Sequence, residues 1–205
     1  MPKKLGNEIR NSVRRHSVLY VICVICLAIG IATGSFSIKA LDEGQKKDLI
    51  QYFNSFMQAF KAQNMDSHQI LKISLQNNLI MSLVFWVSGA TILGVPIIII
   101  LLLFKGFLIG YTVGFLIEGL YLKGIAISSV AVFPQNVFIV PGFIMLSVNG
   151  ILFSSRIVKN KRAHFSRYRE GFARYTITSM LIIGFIVIGS FVEAYLVPLL
   201  VKFAL

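Results

Sequence analysis

The stretch SVLYVICVICLAIGIATGSF, Ser17 to Phe36, contains no charged residue. A bilayer core of ~30 Å is crossed by roughly 20 apolar residues in helical conformation, so this run is long enough to span. It follows a basic tail, as the apolar core of a signal peptide does, but a signal core has only about 7–15 residues. Ser37-Ile-Lys-Ala40 is also a poor cleavage site, and the run reads as an uncleaved membrane anchor. Cys23 and Cys26 form a C-x-x-C inside it. Redox or metal chemistry would need electropositive surroundings or further ligands, so both read as small buried hydrophobes.

Working outward, the rest of the chain repeats the pattern. Of 205 residues, 56% are hydrophobic and 14% charged, with 17 Phe and a single Trp. The expectation is an all-α, polytopic integral membrane helix bundle of about five transmembrane helices. A basic tail (1–16) precedes the first span (17–38), and a polar, amphipathic external segment (39–75) leads to the second (76–104). Lys105 marks a short inner turn before the third span (106–122). The fourth (124–154), a basic loop (155–174) and the fifth (175–203) complete the chain. Nothing outside the spans is large enough for a soluble catalytic domain.

The formal charge of +12 is unevenly distributed. Lys3, Lys4, Arg10, Arg14 and Arg15 precede the first span; Arg156, Lys159, Lys161, Arg162, Arg167, Arg169 and Arg174 precede the last. Both blocks abut spans, as the positive-inside rule expects of cytoplasmic segments. The N-terminus is then cytoplasmic and the C-terminus external, leaving Lys39, Lys46, Lys47, Lys61, Lys72, Lys123 and Lys202 outside. Anionic lipid headgroups are the expected partners of the basic blocks. Nucleic acid is not, because neither aromatic platforms nor a binding module accompany the charge.

In the external segment Leu49, Phe53, Phe56, Met57 and Phe60 fall on one helical face. Such a helix either lies in the outer headgroup layer, capping the bundle, or offers Phe53, Phe56 and Phe60 to an external partner. Ser67 is a candidate N-cap for the helix that becomes the second span.

Three features sit at membrane depth. Gly106, Gly110 and Gly114 recur every fourth residue, and Gly30 and Gly34 give one further G-x-x-x-G. This spacing forms a stripe along which a neighbouring backbone can approach closely, although the spacing does not say whether that neighbour is in the same chain. In FPQNVFIVPG (133–142), Pro134 and Pro141 bracket Gln135 and Asn136. The prolines are expected to break the fourth helix, as a kink or a re-entrant piece, with the two amides satisfying freed carbonyls or lining a substrate path. Glu193 is the intramembrane acid: at bilayer centre such a charge costs roughly 2.5–3.5 kcal/mol on insertion scales, so it must face the bundle. The 135–136 amides and Lys123 are its candidate partners.

Enzyme signatures are missing. There is no G-x-S-x-G, H-E-x-x-H or Walker loop, and His16, His68 and His164 lie far apart. No catalytic residue, metal ligand or cofactor is therefore assigned.

Taken together, the basic tail, five spans, the run KGFLIGYTVGF (105–115) and Phe133-Pro-Gln-Asn with Pro141 resemble the stage II sporulation protein M family of endospore-forming bacteria. The resemblance implies a non-enzymatic membrane scaffold on the mother-cell side of the sporulation septum. Its partners would be two peptidoglycan hydrolases, the stage II sporulation proteins D (a lytic transglycosylase) and P (an amidase and endopeptidase), in septal thinning and engulfment of the forespore. The wider superfamily tends to carry Pro-His-Gly followed by a Glu where this chain has Gln135, Asn136 and Ile139, so a proton- or metal-linked role does not carry over. The alternative is a small permease or channel subunit using a broken fourth helix, and an intramembrane enzyme built on Glu193 is a third reading.

Overall fold

Hydrocarbon offers no hydrogen-bond partner to the backbone, so apolar runs of this length must close their own bonds as helices. The computed structural model of the chain describes residues 16–42, 44–45, 47–48, 51, 67–159, 165–197 and 199, and the side chains of 67, 119–131, 159 and 165–168 are not described. Phe53, Phe56 and Phe60, with the stripe they belong to, lie outside the described residues. Helix α1 is Ser17–Lys39, α2 is Ser67–Gly89, α3 is Gly94–Lys159 and α4 is Phe165–Phe191. A π-helical turn, Val192–Leu196, continues α4.

A straight helix of α3's 66 residues would be about 99 Å long, three times the hydrocarbon thickness. Instead its two ends lie side by side. Ser154 Oγ donates to the Thr91 carbonyl just before α3 at 2.9 Å, the Lys105 ammonium lies 4.7 Å from the Phe143 ring centre, and Ile98 packs on Gly150. Thus α3 comprises two antiparallel legs, Gly94–Glu118 and Val132–Val158, and with α1, His68–Gly89 and Arg169–Leu196 the chain has five segments long and apolar enough to span. It is an all-α polytopic bundle.

Several boundaries differ from those expected. The second span begins at Ser67 and ends at Gly89, and the reversal into α3 occupies 90–93, closed by bonds from Thr91 N–H to the Ser88 carbonyl (3.0 Å) and Gly94 N–H to the Thr91 carbonyl (3.2 Å). Lys105 is therefore not a turn but the middle of the third span. The physical signal for the true turn is Gly89, where a helix ends readily without a Cβ, and Pro96, tolerated in a first helical turn because its missing N–H has no partner there anyway. The expected basic loop 155–174 is mostly helix: α3 carries Arg156 and Lys159, and α4 starts at Phe165. The backbone of the fourth span is helical through both Pro134 and Pro141, so the segment is a single crossing and not a re-entrant piece.

The second leg of α3 is the central helix. Inside the bundle 56% of its apolar window is buried, against 22% for each of the first three spans and 33% for the last. Its Phe143 meets Phe85 of α2, ring centres 5.3 Å apart, and with Ile98, Leu102, Leu146 and Ile186 the pair forms the fully buried core. The prolines thus lie in the segment most surrounded by protein, where neighbouring helices compensate for a lost backbone bond.

The two glycine stripes face each other. In parallel packing of α1 on the first leg of α3, Gly30 lies against Gly106 and the Leu103 carbonyl, Gly34 against the Phe107 carbonyl, and Gly110 against the carbonyl of Ile31. A Cβ on Gly114 would come within 3.1 Å of Ser35 Cα, and Ser35 Oγ donates to the Gly110 carbonyl at 3.0 Å. Backbone touches backbone, which is what a small-residue stripe permits. The stripe is filled from within the chain and is not left open to seat another protein. Gly110→Leu must therefore push α1 away, and the expected loss is about 1–3 kcal/mol or more, read as a lower denaturation midpoint of the detergent-solubilised chain. An unchanged midpoint would contradict this packing.

Candidate functional site: a polar network at membrane depth

Glu193 lies in the π turn, and among the described side chains its partner is not an amide of 135–136; the side chain of the other candidate, Lys123, lies outside them. Ser74 Oγ of α2 donates to Glu193 Oε2 at 2.5 Å. One helical turn along α2, Asn78 Nδ2 donates to Ser190 Oγ at 3.0 Å and more weakly to Ser74 Oγ at 3.4 Å. The other end of the same amide, Asn78 Oδ1, accepts from Lys105 Nζ at 3.3 Å. Ser74, Asn78 and Ser190 are buried.

Three helices supply these groups for reasons visible in their spacing. Ser74 and Asn78 are four residues apart on α2, as are Ser82 and Asn78, which places all three on one buried face. Lys105 immediately precedes the glycine stripe; while Gly106 faces α1, the lysine points between α2 and the second leg, its ammonium over Phe143. Cation–π attraction of this kind strengthens when the cation is desolvated. Lys105 and Glu193 are linked through Asn78 and Ser74. One amide thus bridges the cationic and anionic arms of the network, and neither charge has to face lipid alone.

A second polar layer lies toward the 90–93 turn. Asn149 Nδ2 donates to Ser179 Oγ at 3.0 Å and to the Tyr175 carbonyl at 3.3 Å, and Tyr175 OH donates to the Trp86 carbonyl at 2.7 Å. The apolar core around Phe85 and Phe143 separates the two layers. Among the described residues no cluster of three or more His, Cys, Asp or Glu stands ready to hold a metal ion.

The FPQNVFIVPG segment does something other than line the network. Asn136 Nδ2 donates to the Val132 carbonyl of its own helix at 2.8 Å, and Gln135 Oε1 is buried without a partner. The carbonyls that Pro134 and Pro141 cannot engage are those of residues 130 and 137, so the amide is not the replacement donor that the sequence suggests. The segment instead docks α4 through reciprocal small-residue contacts: Ile186 fills the space over Gly142, and Ile139 the space over Gly189. Gly142, Gly189, Ser74, Asn78 and Ser190 were not legible as site residues from the sequence. Only the i, i+4 recurrence of polar residues within the apolar α2 hints at any of them.

A five-span helical bundle with charges sequestered in its core defines a multi-pass membrane protein. The family model described as Stage II sporulation protein M matches residues 23–198, and the chain belongs to that family. It is a sporulation-related membrane protein. No curated protein and no solved structure matches the chain significantly.

Among the described residues, Asn78 is the one that bonds to both arms of the network. Asn78→Ala should cost about 1–3 kcal/mol, the penalty of leaving buried polar partners unsatisfied, whereas Asn136→Ala, whose amide bonds only its own helix, should cost less than about 1 kcal/mol. Unfolding of the two variants in the same detergent makes the comparison, and equal losses would contradict a bridging role for Asn78.

Proposed function

We propose that the chain is a non-enzymatic membrane scaffold that holds peptidoglycan hydrolases, the stage II sporulation proteins D and P, at the sporulation septum for septal thinning and engulfment. Family membership over most of the chain carries the reading. The fold is compatible with it: Lys105, Asn78, Ser74, Ser190 and Glu193 bond one another at membrane depth, and the glycine stripes pack backbone against backbone. Chemistry then belongs to the partners. The orientation proposed is N-terminus cytoplasmic and C-terminus external. It keeps Arg156, Lys159, Arg169 and Arg174 on the cytoplasmic side, against anionic headgroups. The segment with Phe53, Phe56 and Phe60 faces the hydrolases on the other side, in the mother-cell membrane of the septum.

A second reading, a small permease or channel subunit, no longer draws on a broken helix but on the Lys105–Glu193 network, because ionisable groups inside a membrane mark transport paths by default. The two separate experimentally. For the scaffold, an affinity-tagged chain purified from sporulating cells brings down both hydrolases, and deletion of its gene arrests sporulation with a septum that bulges or fails to curve, seen with a membrane dye. Normal engulfment in the deletion strain would end the scaffold reading. A Ser190→Cys variant that reacts readily with a small aqueous thiol reagent would favour the permease.

A further inference from the structure

An ammonium group has three hydrogens to donate, and among the described residues Lys105 Nζ makes one hydrogen bond, to Asn78 Oδ1. A second direction is taken by the face of Phe143. The third hydrogen remains at the middle of a membrane span, where an unmet polar group is costly. Ser82 Oγ, four residues along α2 from Asn78, is fully buried and makes no hydrogen bond. Buried polar atoms in that condition are rare in folded proteins, and each calls for a partner.

The two groups share one level of the bundle. Asn78, Ser82 and Phe85 are all buried, and at about 100° per residue they fall within about 60° of arc on α2. Lys105 Nζ lies 3.3 Å from Asn78 Oδ1 and 4.7 Å from the Phe143 ring centre, and that ring is 5.3 Å from the ring of Phe85. The ammonium is thus bracketed between the residues on either side of Ser82. Its separation from Ser82 Oγ exceeds a direct hydrogen bond, since that oxygen has no partner. A single water reaches two polar atoms up to about 5.6 Å apart, twice the usual bond length.

We propose that Lys105, Asn78 and Ser82 form the binding site of one enclosed water molecule. The water accepts from Lys105 Nζ and Ser82 Oγ and donates to the second lone pair of Asn78 Oδ1. That gives it three partners, the usual number for a buried water. It completes the donors of an ammonium at mid-span and ties the first leg of α3 to α2 at a second point. A chloride ion would meet the same two donors. Lys105 is already linked to Glu193 through Asn78 and Ser74, however, and a further anion would be a buried charge without compensation. The site is independent of the scaffold and permease readings.

The test uses the full-length chain in lipid bilayers. In proton-detected solid-state NMR, magnetisation from water should reach the Lys105 ammonium and the Asn78 side-chain amide, each signal identified by its loss in Lys105→Met or Asn78→Ala. Ser82→Val, whose methyl groups fill the site, should abolish the transfer to Asn78. Ser82→Ala removes one partner of the water and should lower the denaturation midpoint of the detergent-solubilised chain. Deleting a hydroxyl that bonds to nothing would instead leave the midpoint unchanged or raise it, because alanine is the better helix former. No transfer to either group in the parent chain, transfer undiminished in Ser82→Val, or a midpoint not lowered in Ser82→Ala would each overturn the site. So would a shift of the Lys105 ammonium signal when chloride replaces gluconate, which would assign the site to an anion.

Discussion

Lipid tails neither donate nor accept hydrogen bonds, and the arrangement of this chain depends on that constraint. It makes every apolar run a helix, since the backbone must bond to itself. It also forbids Lys105 and Glu193 from facing outward at depth. Both charges are accommodated by one bridging amide, Asn78, together with the hydroxyls of Ser74 and Ser190. Placing these groups within bonding distance requires α2, the first leg of α3 and the end of α4 to converge at one level of the bundle.

Convergence at that level is set by the glycines. Backbone-to-backbone contact between Gly30 or Gly34 and the Gly106–Gly114 stripe fixes how far α1 slides along the first leg of α3. The adjoining Lys105 is thereby turned away from α1 and toward Phe143 and Asn78. Gly142 and Gly189 serve the central helix and α4 in the same way, each receiving an isoleucine of the other. Without a hydrophobic driving force between helices, close packing of this kind and a few internal hydrogen bonds must hold a membrane bundle together. Membership of the stage II sporulation protein M family connects this architecture to sporulation.

Much of the architecture was legible in the residues. Five apolar runs, an all-α bundle and the family itself follow from hydropathy and from the 105–115 and 133–141 motifs. Legibility failed where a local signal was ambiguous. Lys105 resembles a loop residue because a lone lysine in an apolar run usually is one, so the turn at 90–93 was displaced. Pro134 and Pro141 resemble helix breakers because in isolation they are. Within the most enclosed span of the bundle, the helix continues through both.

The sequence by itself determined the number of crossings, the class of protein and the presence of small-residue stripes. These depend on sums over neighbouring residues: transfer free energy along a run, or the recurrence of glycine every fourth position. Only the tertiary structure decided which stripe meets which, and which side chain answers Glu193. Ser74 and Glu193 are 119 positions apart in the chain, and Asn78 and Ser190 are 112 apart. Such pairings depend on how the helices slide and rotate against one another, which is a property of the packed bundle and has no trace in any one run.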